Sequence, residues 1–202
     1  MSNAPSILAR SDDSALVLAL LEGHPAAKIE LFDRYVRLVE RILTRILGHD
    51  AELGDLVHEV FARSFSCIPS LSDPAALKGW LTAIAVITAR DCIRRRARGR
   101  WLLFLDSQEV PDIESQEASD EVREALRVTY RLLDRLGADD RIAFVLRYIE
   151  ELELKDVAAA CDVSLNTIKR RLARSERRFS ALAEREPALK PWLRGGLRWT
   201  RA

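Results

Sequence analysis

Apolar residues recur at intervals of three and four along most of this chain, and that spacing restricts its fold more than any other feature. In residues 26–47 the apolar positions are Ile29, Phe32, Val36, Val39, Leu43 and Ile46. In residues 51–66 they are Leu53, Leu56, Val57, Val60, Phe61 and Phe65. This spacing places apolar side chains on one face of an α-helix. Because no long run alternates apolar with polar residues, as a half-buried strand would, we predict an all-α fold.

Start and stop signals group the predicted helices into two small domains. Asp73 and Pro74 form a typical helix start, a capping aspartate followed by proline at the first helical position, and predict a helix over 75–97. The first helical domain then covers residues 1–98. The second covers residues 120–182, where Gly137 is expected to end one helix and further apolar runs predict three more.

The segment between the two domains, residues 99–119, is predicted to be a flexible acidic linker. It is polar, contains Pro111, and has no helical period beyond a short apolar run at 101–105. Residues 183–202 are a C-terminal extension with two prolines and two tryptophans. The residues of this extension do not define its role.

Charge is distributed unevenly, although the chain's formal net charge is only +1. Residues 90–100 hold six arginines and one acid, residues 101–124 hold eight acids and one arginine, and residues 169–178 hold six basic residues. Such basic and acidic blocks are typical of interaction surfaces, and basic blocks favour a nucleic-acid partner.

Several classes of protein have no support in the sequence. No apolar run approaches the roughly 20 residues that span a bilayer, so we expect no membrane insertion and a cytoplasmic location. The three cysteines and three histidines are scattered, without the spacing of a metal site or a disulfide framework. We expect no metal and no cofactor. Because no nucleophile–base pair or phosphate-binding loop occurs either, we expect a protein that is not an enzyme.

Residues 154–173, LKDVAAACDVSLNTIKRRLA, have the form of a helix-turn-helix. Small Ala158 and Ala159 would let the second helix approach the first. Asp162 stands where a glycine is common, and aspartate is among the few residues that tolerate the left-handed conformation. The second helix opens with small polar residues and continues with basic ones, which suits insertion into a major groove. A solvated charged face is the competing interpretation, but such helices usually interleave acids with bases.

Four blocks of the chain resemble bacterial sigma factors of the extracytoplasmic-function (ECF) group. They are 12-DDSALVLALLEGHPAAKIELFDRYVRLVERI-42, 55-DLVHEVFARSF-65, 77-LKGWLTAIAVITARDCIRRRAR-98 and 136-LGADDRIAFVLRYIEELELKDVAAACDVSLNTIKRRLARSERRF-179. The resemblance implies a transcription initiation factor that binds core RNA polymerase and recognises the −10 and −35 elements of promoter DNA. The region-two domain would be residues 1–98, and the region-four domain residues 120–182.

The resemblance also assigns residues to each contact. Binding to the polymerase core falls to Asp55, His58, Glu59 and Arg63. Binding to −10 DNA falls to Lys78, Arg90, Arg94, Arg95, Arg96 and Arg98. Binding to −35 DNA falls to Ser164, Asn166, Thr167, Lys169, Arg170, Arg171 and Arg174. The chain departs from the family at Ala83, Val86 and Ile87, where many members carry an arginine and an Arg-Asn pair. That departure puts a residue-by-residue account of promoter melting in doubt.

Two questions stay open at this level. The helix-turn-helix would also suit a stand-alone transcriptional regulator whose N-terminal domain is a dimerisation or sensor module. Many ECF relatives are held inactive by an anti-sigma protein, and such a partner for this chain would follow from the resemblance alone.

Overall fold

The computed structural model describes residues 12–48, 50–103 and 119–193, and within these ranges the chain forms helices and turns without a strand. The all-α prediction is therefore confirmed. Four α-helices make the first half: α1 (Asp13–Leu21), α2 (Pro25–Leu47), α3 (Leu53–Cys67) and α4 (Leu77–Leu103). Five more make the second half: α5 (Asp120–Asp134), α6 (Ala138–Phe144), α7 (Leu154–Cys161), α8 (Leu165–Ala183) and α9 (Lys190–Leu193).

In the first half, the apolar faces of α2 and α3 pack against each other and against α4. Leu31, Leu43 and Leu81 are fully buried in this core. Ile29 belongs to the predicted apolar face of α2, yet its side chain is 64% exposed. Its position near the start of the helix, where the neighbouring elements no longer cover that face, leaves it in solvent. The periodicity therefore predicted the helix correctly but not the burial of this residue.

The start of α4 follows the predicted capping pattern with one difference. The Asp73 carboxylate accepts a hydrogen bond from the backbone N–H of Ala75, so it does act as a cap. It caps a 3₁₀ turn, Pro74–Ala76, after which α4 begins at Leu77. At its other end α4 continues to Leu103, five residues into the segment predicted as linker. The rest of that linker, residues 104–118, lies outside the described residues.

In the second half, α6 runs directly into one π-helical turn, Val145–Ile149. Glu151 then adopts a positive φ of 56°, which redirects the chain toward α7. Gly137, predicted to end a helix, lies just before α6 as its N-cap residue. In the C-terminal extension, a 3₁₀ turn at Pro187–Leu189 packs against α5 and buries Leu189. Residues 194–202 of that extension lie outside the described residues.

The two halves lie against each other. Helix α4 packs on α6 and α7, and α2 packs on the π-helical turn. Buried apolar side chains from both halves form one continuous core. The DNA-binding candidates on α4 are thereby brought close to those on α8, although about 80 residues separate them in sequence.

Candidate nucleic-acid interface

The helix-turn-helix consists of α7, a three-residue turn and α8. Asp162 takes the left-handed conformation, with φ 52° and ψ 53°, as its place in the turn predicts. Its backbone N–H donates to the carbonyl of Ala159, and the N–H of Val163 donates to that of Ala158. These bonds satisfy the last carbonyls of α7. The small residues that α7 buries are Ala158 and Ala160, whereas Ala159 is exposed. The prediction that Ala159 faces the second helix was wrong, because the face of α7 turns by one residue.

Helix α8 begins with a capped N-terminus. The hydroxyl of Ser164 accepts a hydrogen bond of 3.2 Å from the backbone N–H of Thr167, as the prediction of a capping serine requires. The same hydroxyl lies 3.0 Å from that of Thr167. Both hydroxyls, predicted to contact −35 DNA, are therefore engaged in holding the first turn of the helix.

The remaining −35 candidates divide between two sides of α8. Asn166, Lys169 and Arg170 are exposed on the outer side. None of these three has an ion-pair partner among the described residues. Ile168 and Leu172 are buried on the inner side and attach the helix to its domain. The outer side therefore presents one amide and two cations from a rigid support.

Arg171 and Arg174 face the first turn of α6 instead. Arg174 makes a bidentate pair with Asp140, with both nitrogen–oxygen distances 2.5 Å. Arg171 lies 3.3 Å from a carboxylate oxygen of Asp139. Bidentate arginine–carboxylate pairs are directional as well as strong. These contacts therefore set the angle at which α8 leaves the domain.

An aromatic cluster holds the far half of α8 in place. The rings of Phe144 and Phe179 lie 4.9 Å apart, and Tyr148 meets Phe144 edge-on at 5.0 Å. The Tyr148 hydroxyl donates to the carboxylate of Glu176. Burial raises the pKa of Glu176, against the opposing effect of neighbouring Arg177. This acid is therefore part of the packing between α8 and α6 and does not lie on the exposed basic face.

The −10 candidates are spread along α4. Lys78 is exposed near the start of the helix, about 30 Å from Arg98 at 1.5 Å per residue. Arg90 and Arg94 face the second half, where both lie against Asp139 at 3.0 and 3.4 Å. Arg98 is exposed, with no ion-pair partner among the described residues. The predicted group is therefore not one continuous patch.

Two further arginines of α4 contact the turn before α3. Arg95 lies 3.3 Å from Glu52, and Arg96 pairs with both Glu52 and Asp50. Burial acts to raise the pKa of Asp50, but hydrogen bonds from Arg96 and from the backbone N–H of Glu52 outweigh burial and leave that pKa below its ordinary value. Arg96 thus ties the end of α4 to the start of α3.

The polymerase-binding candidates lie along one side of α3. Asp55 and His58 are exposed, while Glu59 and Arg63 are partly covered. Arg63 lies 2.6 Å from Glu59 and 3.0 Å from Asp91 on α4. The two outer residues are available to a partner, and the two inner ones already hold α3 against α4.

The sequence reasoning did not identify the acids that neutralise the arginines. Asp50, Glu52, Asp139 and Asp140 are all remote in sequence from their partners. No local spacing signals such contacts, because they depend on how the helices pack. Ile87, where many ECF members carry a polar residue, is 41% exposed, whereas neighbouring Val86 is fully buried.

Two searches of the described residues returned nothing. No helix in residues 12–48, 50–103 or 119–193 combines the length and the apolar character that a membrane span requires. In the same ranges, no three His, Cys, Asp or Glu side chains are grouped so that they could hold a metal ion.

Comparison with known families finds a match in each half of the chain. The model of Sigma-70 region 2 matches residues 31–99, and that of Sigma-70, region 4 matches residues 126–179. Together they cover more than half of the chain. The chain is 28% identical over 172 residues to the ECF RNA polymerase sigma-E factor of Haemophilus influenzae and 26% identical to that of Escherichia coli. Each alignment covers 81% of this chain and 90% of the relative.

Two solved structures share the fold. CnrH, determined in complex with the cytosolic domain of CnrY, aligns with a TM-score of 0.59 at 20% identity, over 86% of this chain and 98% of CnrH. The sigma factor RpoE from Bartonella quintana, determined in complex with the anti-sigma factor NepR, aligns with a TM-score of 0.61 at 21% identity. That alignment covers 78% of this chain and 96% of RpoE. At these identities the likeness establishes the fold.

Proposed function

The chain belongs to the ECF group of the sigma-70 family, and we propose that three separate surfaces carry its work as a sigma factor. It directs RNA polymerase to promoters, a regulatory role for which we expect no catalytic activity. The outer side of α8 would read the −35 element, α4 would contact the −10 element, and the exposed side of α3 would dock on the polymerase core. The residues assigned to each surface are argued below from exposure and charge.

The observation that carries the −35 assignment is the exposed triad Asn166, Lys169 and Arg170 on the first two turns of α8. In helix-turn-helix proteins the N-terminal part of the second helix enters the major groove. Asparagine can pair with an adenine edge, and lysine or arginine with a guanine edge or a phosphate. We assign base contacts to Asn166 and Arg170 and a phosphate contact to Lys169. Ser164 and Thr167 act indirectly, through the capped first turn.

On α4, the exposed cations at the helix end are the best candidates for −10 DNA. Arg98 is free of any described ion pair, and Arg94 and Arg95 are both more than half exposed. Lys78 would contact DNA at a separate point, nearer the start of the helix. We assign Arg96 a mainly structural role, because it already holds two carboxylates.

On α3, Asp55 and His58 are proposed as the direct polymerase contacts. Both are exposed on the side of the helix that is turned away from the core. Glu59 and Arg63 would support them from the ion-pair network that joins α3 to α4.

The −35 assignment is tested by measuring promoter affinity of the reconstituted holoenzyme as a function of salt. Lys169→Ala should weaken binding about equally across promoter sequences and reduce the salt slope by about 1, since a lost phosphate contact releases one fewer counterion. Arg170→Ala should instead cost about 1–3 kcal/mol at one base pair and relax the preference there.

Arg178→Ala is the matched control for both variants. Arg178 is exposed on the same helix, about 12 Å farther along its axis, and removes the same charge. It should change promoter affinity much less. Equal losses for Arg178→Ala and Lys169→Ala would mean that general charge, and not the outer side of the first two turns, supplies the affinity.

A stand-alone regulator is not favoured, because both halves of the chain match sigma-70 regions. A protein partner of the anti-sigma kind is a prediction for this chain by analogy with the two complexes described above. Competition between a candidate partner and core polymerase for the purified chain would test it.

A further inference from the structure

One carboxylate binds three arginines from two different DNA-binding helices. Asp139, in the first turn of α6, lies 3.0 Å from Arg90, 3.4 Å from Arg94 and 3.3 Å from Arg171. The first two arginines belong to α4 and the third to α8. We propose that Asp139 is the centre of an ionic lock that holds the two domains closed and keeps these arginines from promoter DNA until polymerase opens the chain. The proposal rests on the function assigned above, in which both helices contact DNA.

The lock occupies the arginines in the way that DNA would. A guanidinium pairs with a carboxylate and with a phosphate through the same fork of N–H donors. In the closed arrangement the side chains of Arg90 and Arg171 are only 17% and 16% exposed. Arg90 also donates to the carbonyl of Cys161 at the end of α7, at 3.3 Å. Neither arginine can reach a phosphate without leaving Asp139.

A second set of polar contacts joins the halves at the end of α2. Arg141 on α6 donates to the carbonyl of Ile46 at 2.6 Å. In the opposite direction, Arg45 on α2 donates to the carbonyl of Ile149 at 2.6 Å and pairs with Glu150. Arg41 lies 3.2 Å from the same Glu150 carboxylate. An interface made largely of such contacts resembles a reversible domain contact more than a permanent one.

The lock is also incompletely satisfied, which favours release. One carboxylate shares its charge among three cations, so the cluster keeps a net positive charge. Arg90 Nε, Asp139 Oδ1 and Arg171 Nη1 are buried without a well-directed hydrogen bond among the described residues. Buried polar atoms in that state raise the free energy of the closed arrangement. DNA phosphates, or a polymerase surface that separates the domains, would therefore displace Asp139 readily.

The test compares two neighbouring acids that differ in what they connect. Asp139→Asn removes the carboxylate that joins α4 to α8. Asp140→Asn removes the same charge one residue away, but Asp140 contacts Arg174 within the second domain. Both variants are made in the full chain, and circular dichroism verifies that each is folded.

Interdomain distance is then measured on the free protein by electron–electron resonance between two spin labels. One label sits on exposed Cys67 of α3 and the other on Glu184→Cys at the end of α8, with buried Cys92 and Cys161 replaced by alanine. The lock predicts a short, narrow distance distribution for the parent protein and for Asp140→Asn. It predicts a long, broad distribution for Asp139→Asn, whose open-to-closed ratio should rise about tenfold with the loss of three partly exposed ion pairs.

A DNA measurement completes the test. Without polymerase, Asp139→Asn should bind a −10/−35 promoter duplex more tightly than Asp140→Asn does, although both carry the same net charge. Identical distance distributions for the parent and Asp139→Asn, or equal opening by both variants, would overturn the lock. The distances are measured without polymerase, so they are independent of whether the chain initiates transcription. Loss of transcription with an intact opening response would instead count against the proposed function.

Discussion

Replacing Arg96 by glutamine should destabilise the first domain, although Arg96 lies in a block of arginines predicted to bind DNA. Its guanidinium pairs with Asp50, whose side chain is only 7% exposed, and lies 3.0 Å from Glu52. The variant leaves Asp50 with one remaining hydrogen bond, from the backbone N–H of Glu52 at 2.9 Å. A sequence-based assignment alone would predict a loss of DNA affinity without a loss of stability.

The expected cost follows from the burial of each partner. Removing one member of a fully buried pair costs about 3–5 kcal/mol, because the other charge is left buried. Arg96 is 36% exposed, and the turn before α3 can relax toward solvent, so we expect about 2 kcal/mol. For a chain of this size that corresponds to a melting temperature about 4–8 °C lower.

The pH dependence identifies the responsible group. Because the pKa of Asp50 is lowered in the folded protein, its contribution to stability is complete above its unfolded value, about 3.9. The contribution is lost as pH falls through the lower folded value. The destabilisation by Arg96→Gln should therefore be full at pH 5 and above and should narrow below about pH 3.9.

Urea denaturation at several pH values, with Arg98→Gln as the matched control, measures these effects. Arg98 is exposed on the same helix end, so its variant should stay within about 0.5 kcal/mol of the parent. If Arg96→Gln is no less stable than Arg98→Gln at pH 7, the structural role assigned to Arg96 is wrong. A difference that is unchanged below pH 3.9 would point to a group other than Asp50.

Three further substitutions test the helix-turn-helix and the polymerase surface. Ser164→Ala removes the cap of α8 and should lower the free energy of unfolding by about 1 kcal/mol, measured by urea denaturation; an unchanged midpoint would show that the hydroxyl is dispensable. Asp162→Gly should change stability in the opposite direction, by about 0.5 kcal/mol, because glycine adopts the left-handed conformation without strain; a lower melting temperature would contradict this. Asp55→Ala should weaken core-polymerase binding about fivefold in a binding titration, with no change in melting temperature, because Asp55 is exposed; normal association would place the docking face elsewhere.

The helices and the helix-turn-helix could be predicted from sequence because their signals are local. Apolar spacing defines α2 and α3, and the properties of aspartate and serine at 162 and 164 define the turn. Each of these features depends on residues within about two turns of helix. The same is true of the Asp73 cap, which is local even though it begins a 3₁₀ turn.

The state of the charged residues could not be predicted in this way. Arg90 and Arg171 look like free cations in the sequence, yet both lie against Asp139. Arg96 looks like its neighbour Arg95 but is tied to a buried carboxylate. These outcomes depend on how α4, α6 and α8 pack, which no spacing rule describes. The exposure of Ile29, on an otherwise buried face, has the same origin.

In vitro transcription with core polymerase tests the central claim most directly. Purified chain and core polymerase are combined on linear templates, and transcripts are mapped for the parent and for the Lys169→Ala/Arg170→Ala variant. The account predicts transcripts that start at defined promoters only when both components are present, and that the double variant largely abolishes at physiological salt. Failure to bind core polymerase, or sequence-specific DNA binding with no promoter-dependent transcript, would contradict it.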